Sequence, residues 1–133
     1  MNSTKPVEIG LLFVRNAFYP LSIMQAIAVA NQKGGVGKTT TSVNLSVGLA
    51  RAGRRVLMVD LDSQAHATLH MGVTPASFSL SAYDVLAKGE SLAAATVPAG
   101  DNLWVVPAHL DLSAIEMHLA GNSGRESILS RKL

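Results

Sequence analysis

The hydrophobic pattern of the chain predicts a strand, a helix and a second strand in quick succession. Residues 26–31 read AIAVAN and lead directly into glycines, which is typical of a buried parallel strand. Residues 39–51 lack proline and repeat apolar side chains on one helical face, so they predict a helix that ends at Gly53. Residues 56–59, VLMV, form a second apolar strand that ends at Asp60. Together these segments predict a βαβ unit with the usual right-handed crossover.

Shorter elements follow this unit. Residues 103–106, LWVV, predict a third strand, whereas residues 91–100, SLAAATVPAG, predict a surface connection. Three segments have a serine followed three residues later by an acid, which is the pattern of a helix capping box. These pairs are Ser81 with Asp84, Ser113 with Glu116, and Ser123 with Glu126. The alternation of strands and helices predicts an α/β fold with a parallel sheet flanked by helices.

Residues 1–24 carry a broken pattern. Their first apolar run stops at Arg15, and Pro20 interrupts the next one. A membrane span needs about 20 predominantly apolar residues without such breaks. If this region were a secretory signal, its cleavage would also remove the strand that precedes the glycines, which argues against a signal. We therefore expect residues 1–24 to be a variable extension outside the working protein, with Met24 as the natural start, and residues 25–133 to be the N-terminal portion of a single domain.

Composition narrows the classes of chemistry. The 133 residues include no cysteine, which excludes disulfides, thiolate metal sites and cysteine nucleophiles, and which fits a cytoplasmic protein. The net charge of +2 is too small to indicate nucleic acid binding by charge alone. Charged residues make up 15% of the chain, against about 25% in an ordinary soluble domain. We therefore expect either that most residues of the chain are buried or that the chain exposes apolar surface.

The segment NQKGGVGKTTTSVNL carries the strongest chemical signal. Phosphate loops follow the pattern G-x-x-x-x-G-K-[ST], in which main-chain N–H groups and the next helix cradle phosphate oxygens. In this pattern the lysine reaches the β- and γ-phosphates and the hydroxyl of the Ser or Thr holds Mg²⁺. Lys38 and Thr39 are the residues predicted to take these two roles. The segment departs from the pattern because Gln32 replaces the first glycine and because Lys33 is added.

A flexible glycine turn is the alternative to a phosphate loop. The apolar strand before the glycines, the helix after them and the Lys-Thr pair at the junction favour the phosphate loop. The predicted phosphate-binding residues are Lys33, Gly34, Gly35, Val36, Gly37, Lys38, Thr39 and Thr40.

Two acids, Asp60 and Asp62, follow the second apolar strand. Two strand residues with one residue between them point the same way, here towards the carboxyl edge where α/β sheets bind ligands. The alternatives are two solvated loop acids, or an Asp60 that ends a Walker B strand and holds Mg²⁺ through water. His66 and His70 stand one helical turn apart, but we expect surface histidines there because Mg²⁺ prefers oxygen ligands. Tyr83 and Trp104 are expected to be packing residues.

The altered loop, KGGVGKT, resembles the deviant Walker A motif of the ParA/MinD superfamily of ATPases. The stretch ANQKGGVGKTTTSVNLSVGLARAGRRVLMVDLDSQ is similar to the chromosome and plasmid partitioning branch, ParA and Soj, and the resemblance runs from about Met24 to the end. It implies a P-loop NTPase fold and a Mg²⁺-dependent ATPase. It also implies ATP-dependent homodimers, non-specific DNA binding, a ParB-like adaptor, a cytoplasmic location with nucleoid association in full-length relatives, and no stable membrane insertion.

The resemblance also implies roles for single residues. Lys33 reaches across the dimer to the phosphates of the partner's ATP and acts there as an arginine finger does. Asp62 positions the attacking water, and Asp60 lies near the magnesium shell. The chain has Ser63 where the family usually has proline, and shortly afterwards Ala-His where it usually has Gly-Asn. These changes leave both acids in place and leave the path of this loop open.

Some features of the family lie beyond the matched segments. The family continues with another buried strand that ends in an acid, its Walker B strand. We therefore expect this chain to be an amino-terminal portion of a protein about twice as long, with a sheet incomplete on its carboxyl-terminal side. Two other functions stay open: a nucleotide-binding remnant without turnover, and a MinD-like membrane-associated ATPase. The lack of cysteine argues against an iron–sulfur relative such as the nitrogenase iron protein.

Overall fold

The computed structural model describes residues 8–15, 24–121 and 123–132. Within them, five strands form one sheet: β1 (Glu8–Arg15), β2 (Met24–Asn31), β3 (Arg55–Asp60), β4 (Val97–Gly100) and β5 (Leu103–Val106). The α-helices are α1 (Lys38–Arg51), α2 (His66–His70), α3 (Ala82–Ala87) and α4 (Ile115–Leu119). Short 3₁₀-helices cover Pro75–Ser77, Leu110–Ala114 and Arg125–Ser127.

The sheet is mixed, with the strand order β2-β1-β3-β5-β4. β3 and β5 pair in parallel, and Met58 lies opposite Val105. β1 is antiparallel to both β2 and β3, so β2, β3 and β5 run in the same direction. The predicted α/β class is confirmed, and the third predicted strand has the expected bounds. The antiparallel strands β1 and β4 are additions to the predicted parallel sheet.

Strand β1 lies in a stretch for which the sequence predicted no element. Its residue Leu11 pairs with Ala28 on one side and with Val59 on the other. The apolar run is too short for a membrane span but has the length of an ordinary strand, and one of its two partners, β3, is distant in sequence. The rest of the proposed extension, residues 1–7 and 16–23, lies outside the described residues. That residues 1–24 are a variable extension stays a prediction.

Insertion of β1 moves β2 to the edge of the sheet. The prediction of a strand here is confirmed, but the prediction that it is buried is wrong. Only Ile27 and Val29 are partly buried within β2, and the rest of the strand is exposed. A short apolar run does not distinguish a central strand from an edge strand, because its position depends on which other strands pair with it.

Helix α1 connects the glycine segment to the core of the protein. Its buried residues are small and spaced four apart: Ser42, Ser46 and Ala50. Larger apolar side chains on either side are partly buried against the core, namely Val43, Leu45, Val47 and Leu49. The Ser46 hydroxyl donates to the Ser42 carbonyl at 2.7 Å, so this polar group is satisfied although it is buried. The helix ends where predicted, with Gly53 in the left-handed conformation at φ +78°.

Strand β3 is the centre of the core and has apolar neighbours on both faces. Val56 and Met58 belong to the cluster that packs against α1, whereas Val59 belongs to the cluster under α3. Alternation along the strand produces this division. Tyr83 is partly buried against the second cluster, and Trp104 is partly buried with the Arg55 guanidinium 5.6 Å from its ring centre. The predicted packing roles of both aromatic residues are confirmed.

The capping-box pattern is correct in one place. Ser81 precedes α3. The carboxylate of Asp84 accepts hydrogen bonds from the N–H of Ser81 at 2.8 Å and from the Ser81 hydroxyl at 2.9 Å. The other two predicted boxes are wrong, because Ala114 and Gly124 occupy the positions before their helices. The side chains of the acids in those two pairs, Glu116 and Glu126, lie outside the described residues.

Strand β4 occupies part of the segment that was predicted to be a surface connection. Pro98 and Gly100 argue against a strand in the sequence, but β4 lies at the sheet edge, where proline is tolerated. Its register against β5 shifts between these two residues. No helix in the described part of the chain is long and apolar enough to cross a lipid bilayer.

Candidate phosphate-binding site

The glycine segment forms the turn between β2 and α1. Asn31 ends β2, and its side-chain oxygen accepts a hydrogen bond from the N–H of Lys33 at 2.9 Å. Gly35 and Gly37 have φ values of +72° and +86°, and no other group lies within 4 Å of the place where a Cβ would stand. Glycine is therefore required here by backbone conformation and not by crowding. Gly37 directly precedes the first residue of α1, Lys38.

The two lysines of the loop are linked to each other. The Nζ of Lys38 donates to the main-chain oxygen of Lys33 at 2.9 Å, so the side chain of Lys38 folds back over the loop. The side chain of Lys33 is exposed. Lys38 thus places its charge at the loop, while Lys33 carries a second cation on an exposed side chain.

A cavity of about 390 Å³ lies between the loop and a second wall. Its volume falls within the range of about 300–1,000 Å³ that is usual for ligand pockets. The loop contributes Gly34, Gly35, Gly37, Lys38, Thr39 and Thr40, and the second wall contributes Asp62, Gln64 and His66. Among the residues predicted to bind phosphate, Lys33 and Val36 do not line the cavity, and Val36 is exposed. The structure therefore brings Lys38, Thr39 and Asp62 together around one space.

The second wall is the tight turn after β3. The Oδ1 of Asp62 accepts from the N–H of Gln64 at 2.9 Å, and its carbonyl accepts from the N–H of Ala65 at 2.8 Å. Ala65 then adopts a left-handed conformation, with φ 54° and ψ 25°, which costs a non-glycine residue about 1–2 kcal/mol. This resolves the path that the sequence left open: Ala65 takes the conformation that glycine adopts without strain.

Asp60 lies beneath this wall, away from the cavity. Its side chain is buried, and Oδ2 accepts from Thr68 twice, from the N–H at 2.9 Å and from the hydroxyl at 2.6 Å. Oδ1 accepts from the N–H of Asp62 at 3.1 Å. Burial raises the pKa of Asp60, although the hydrogen bonds from Thr68 and Asp62 oppose this effect. The Thr68 hydroxyl also accepts from the N–H of Ala108 at 2.9 Å, so α2 is joined to both β3 and the segment after β5.

The two acids therefore do not point the same way. Strand β3 ends at Asp60, so the alternation expected for a strand does not extend to Asp62. Asp62 faces the cavity, whereas Asp60 faces the interior. The alternative of two solvated loop acids is wrong for Asp60.

Thr68, Gln64 and His66 are parts of the site that the sequence did not indicate. Thr68 follows Asp60 by eight residues, a spacing that corresponds to no local motif. His66 and His70 are both exposed as predicted, but only His66 lines the cavity. Within the described ranges, no group of three or more histidine, aspartate or glutamate side chains is arranged to hold a metal ion.

Comparisons with known proteins show the family to which the chain is similar. A sequence family described as "AAA domain" matches residues 24–133. The sporulation initiation inhibitor protein Soj of Bacillus subtilis is 45% identical over 111 residues, and the match covers 80% of this chain and 43% of the relative. The chromosome partitioning protein ParA of Caulobacter vibrioides is 42% identical over 106 residues, with 78% and 39% covered. The chain spans less than half the length of these relatives.

Among solved structures, the cobyrinic acid a,c-diamide synthase of Mycobacterium smegmatis with bound ADP and magnesium is similar, with a TM-score of 0.72 and 40% identity. The likeness covers 77% of this chain and 42% of that one. A second structure of the same synthase, with an ATP analog and magnesium, has the same TM-score. The chain belongs to the AAA domain family, in its ParA/Soj branch.

Proposed function

We propose that this chain forms the phosphate-binding part of a Mg²⁺-dependent ATPase of the ParA type, which acts in chromosome or plasmid partitioning. The observation that carries the proposal is the cavity with Lys38 and Thr39 on one side and Asp62 on the other. The named relatives support the partitioning role, because Soj and ParA are the proteins that the chain resembles at 45% and 42% identity.

The residues around the cavity fit a nucleoside triphosphate. Residues 34–40 supply main-chain N–H groups. The Lys38 ammonium group, which donates to the neutral carbonyl of Lys33, would donate to a charged phosphate oxygen instead when nucleotide binds. Open space around Gly35 and Gly37 lets the phosphates approach the backbone closely. The similar synthase holds ADP or an ATP analog together with magnesium.

Magnesium fits the oxygen groups on this side of the fold. Mg²⁺ keeps several waters and takes few protein ligands, so the Thr39 hydroxyl is a sufficient protein contact beside the phosphates. When bound, the ion neutralises negative charge on the transferred phosphate. Asp60 is proposed to lie near this shell. Because it faces Thr68 and the N–H of Asp62, its contribution is to position the residues around the metal.

Turnover needs a group that orients water opposite the loop. Asp62 is the carboxylate among the cavity-lining residues, and it accepts a hydrogen bond from Gln64 that fixes its direction. In the proposed reaction, water attacks the γ-phosphorus, the bond from that phosphorus to the β–γ bridging oxygen breaks, and ADP, phosphate and a proton are released. Lys33, whose side chain is exposed, is proposed to reach the nucleotide of a second copy. Dimerisation, DNA binding and a ParB-like adaptor rest on the similarity to the partitioning proteins.

A second candidate function is nucleotide binding without turnover. Binding needs only the glycine loop with Lys38 and Thr39, whereas turnover also needs Asp62 to orient water. One experiment separates the two: ATP affinity and ATP hydrolysis are measured side by side on the 133-residue chain, with DNA and an adaptor protein present. Saturable binding with hydrolysis supports the ATPase. Binding without hydrolysis supports the second candidate, and absence of binding contradicts both.

A further inference from the structure

His66 occupies a defined position on the second wall of the cavity. It is the first residue of α2 and lines the cavity opposite the glycine loop. The turn made by Asp62 fixes the chain before it, and the hydrogen bonds between Thr68 and Asp60 fix the chain after it. An exposed side chain at this point is therefore held near the cavity by restraints on both sides.

The imidazole of His66 supplies chemistry that an anionic ligand needs. Asp62, on the same wall, is negative and repels phosphate, whereas a histidine N–H donates to phosphate oxygens and carries a positive charge when protonated. The other side chains on this wall and on the loop that can donate are Gln64, Lys38 and the two cavity-lining threonines. Among the described residues, Gln64 and His66 are thus the side-chain donors of the second wall.

Position along the phosphate chain decides what His66 contacts. In the proposed function, the loop amides and Lys38 hold the phosphates from one side, and Asp62 faces the γ-phosphorus from the other. A donor on the Asp62 wall meets the last phosphate, which ADP lacks. We propose that His66 contacts the terminal phosphate of ATP and makes the site prefer ATP over ADP. This inference rests on the proposed function.

The test compares two nucleotides and four proteins. Dissociation constants for a non-hydrolysable ATP analogue and for ADP, both with Mg²⁺, are measured for the 133-residue chain and for His66→Ala, His66→Asn and His70→Ala. His70 is a matched control, since it is also exposed and on α2 but does not line the cavity. Asparagine keeps a side-chain N–H donor.

The expected result is a change in the ratio of the two affinities. In His66→Ala, the dissociation constant of the ATP analogue rises about tenfold and that of ADP changes by less than about twofold. A tenfold change is expected for the loss of one hydrogen bond to a charged group. His66→Asn keeps most of the affinity for the ATP analogue, and His70→Ala changes neither dissociation constant. An unchanged ratio in His66→Ala overturns the inference, and so does an equal loss for both nucleotides. If the unsubstituted chain binds neither nucleotide, the proposed function fails as well.

Discussion

The hydroxyl of Thr68 donates a 2.6 Å hydrogen bond to Oδ2 of Asp60, and both side chains are buried. The same hydroxyl accepts from the N–H of Ala108, so one oxygen joins β3, α2 and the segment after β5. Asp60 also receives the N–H of Asp62, whose side chain faces the cavity. The position of the second wall therefore depends on a polar network inside the core.

Removing the Thr68 hydroxyl should destabilise the fold. In Thr68→Val, the Ala108 N–H loses its acceptor and Asp60 loses one donor in a buried place, which should lower the free energy of unfolding by about 2–3 kcal/mol. Urea unfolding measures this change. Thr68→Ser keeps the hydroxyl and should recover most of the stability. Equal stability of the valine and serine variants would show that the hydrogen bonds contribute nothing.

The buried Asp60 should also produce a pH dependence of stability. Its pKa in the folded protein is raised above the ordinary value of 3.8, because burial disfavours the carboxylate. The folded state then binds the proton more tightly than the unfolded state does. The stability that this proton contributes is fully present below pH 3.8 and is lost as the pH rises through the raised pKa. Above that pH this contribution is absent, and Asp60 causes no further change of stability with pH.

This effect is measured as the difference in unfolding free energy between the unsubstituted chain and Asp60→Asn, at a series of pH values. The unsubstituted chain should lose stability relative to the variant as the pH rises through that window. Asp84→Asn is a control of opposite sign. Burial raises the pKa of Asp84, but hydrogen bonds from Lys88 and Ser81 outweigh it and lower the pKa. A difference for Asp60→Asn that does not vary with pH would contradict the assignment.

The strained turn of the second wall should accept glycine. Ala65→Gly removes a left-handed alanine, and it should stabilise the protein by up to about 1 kcal/mol after the greater freedom of glycine in the unfolded chain is included. Ala87→Gly, at the end of α3, is the matched control and should destabilise by about 0.5–1 kcal/mol. Thermal unfolding of both variants measures the contrast. Equal losses in both would mean that Ala65 is not strained.

Asp62 should matter for turnover and not for binding. Asp62→Ala removes the carboxylate that faces the cavity, so hydrolysis should fall on the order of 100-fold while the affinity for ATP is retained. The measurement is ATP turnover with DNA and an adaptor protein present, beside an ATP titration. Asp101→Ala removes an exposed acid away from the cavity and is the control. Unchanged turnover in Asp62→Ala would exclude the proposed role.

Local patterns predicted the part of the site that is built locally. The loop and the start of α1 depend on residues that are adjacent in sequence, so the glycines with Lys38 and Thr39 indicated both. The end of α1 at Gly53 was likewise predicted, because a left-handed glycine acts within its own turn.

Long-range pairing explains what the sequence did not indicate. Strand β1 is held by β2 and β3, and Thr68 contacts Ala108, which lies 40 residues further along the chain. No spacing rule relates such partners. The cavity position of His66 has the same origin, since it depends on how α2 is anchored to β3. His70 is also exposed but does not line the cavity.

The proposed function requires that the glycine loop and Lys38 bind the triphosphate of ATP. Its most direct measurement is a titration of the 133-residue chain and of Lys38→Ala with Mg²⁺ and ATP, with Lys88→Ala as a surface control. Saturable binding is expected for the unsubstituted chain and for Lys88→Ala, and Lys38→Ala should weaken the affinity about 10- to 100-fold. Equal affinity of the Lys38→Ala and unsubstituted chains, or no saturable binding by the unsubstituted chain, would contradict it.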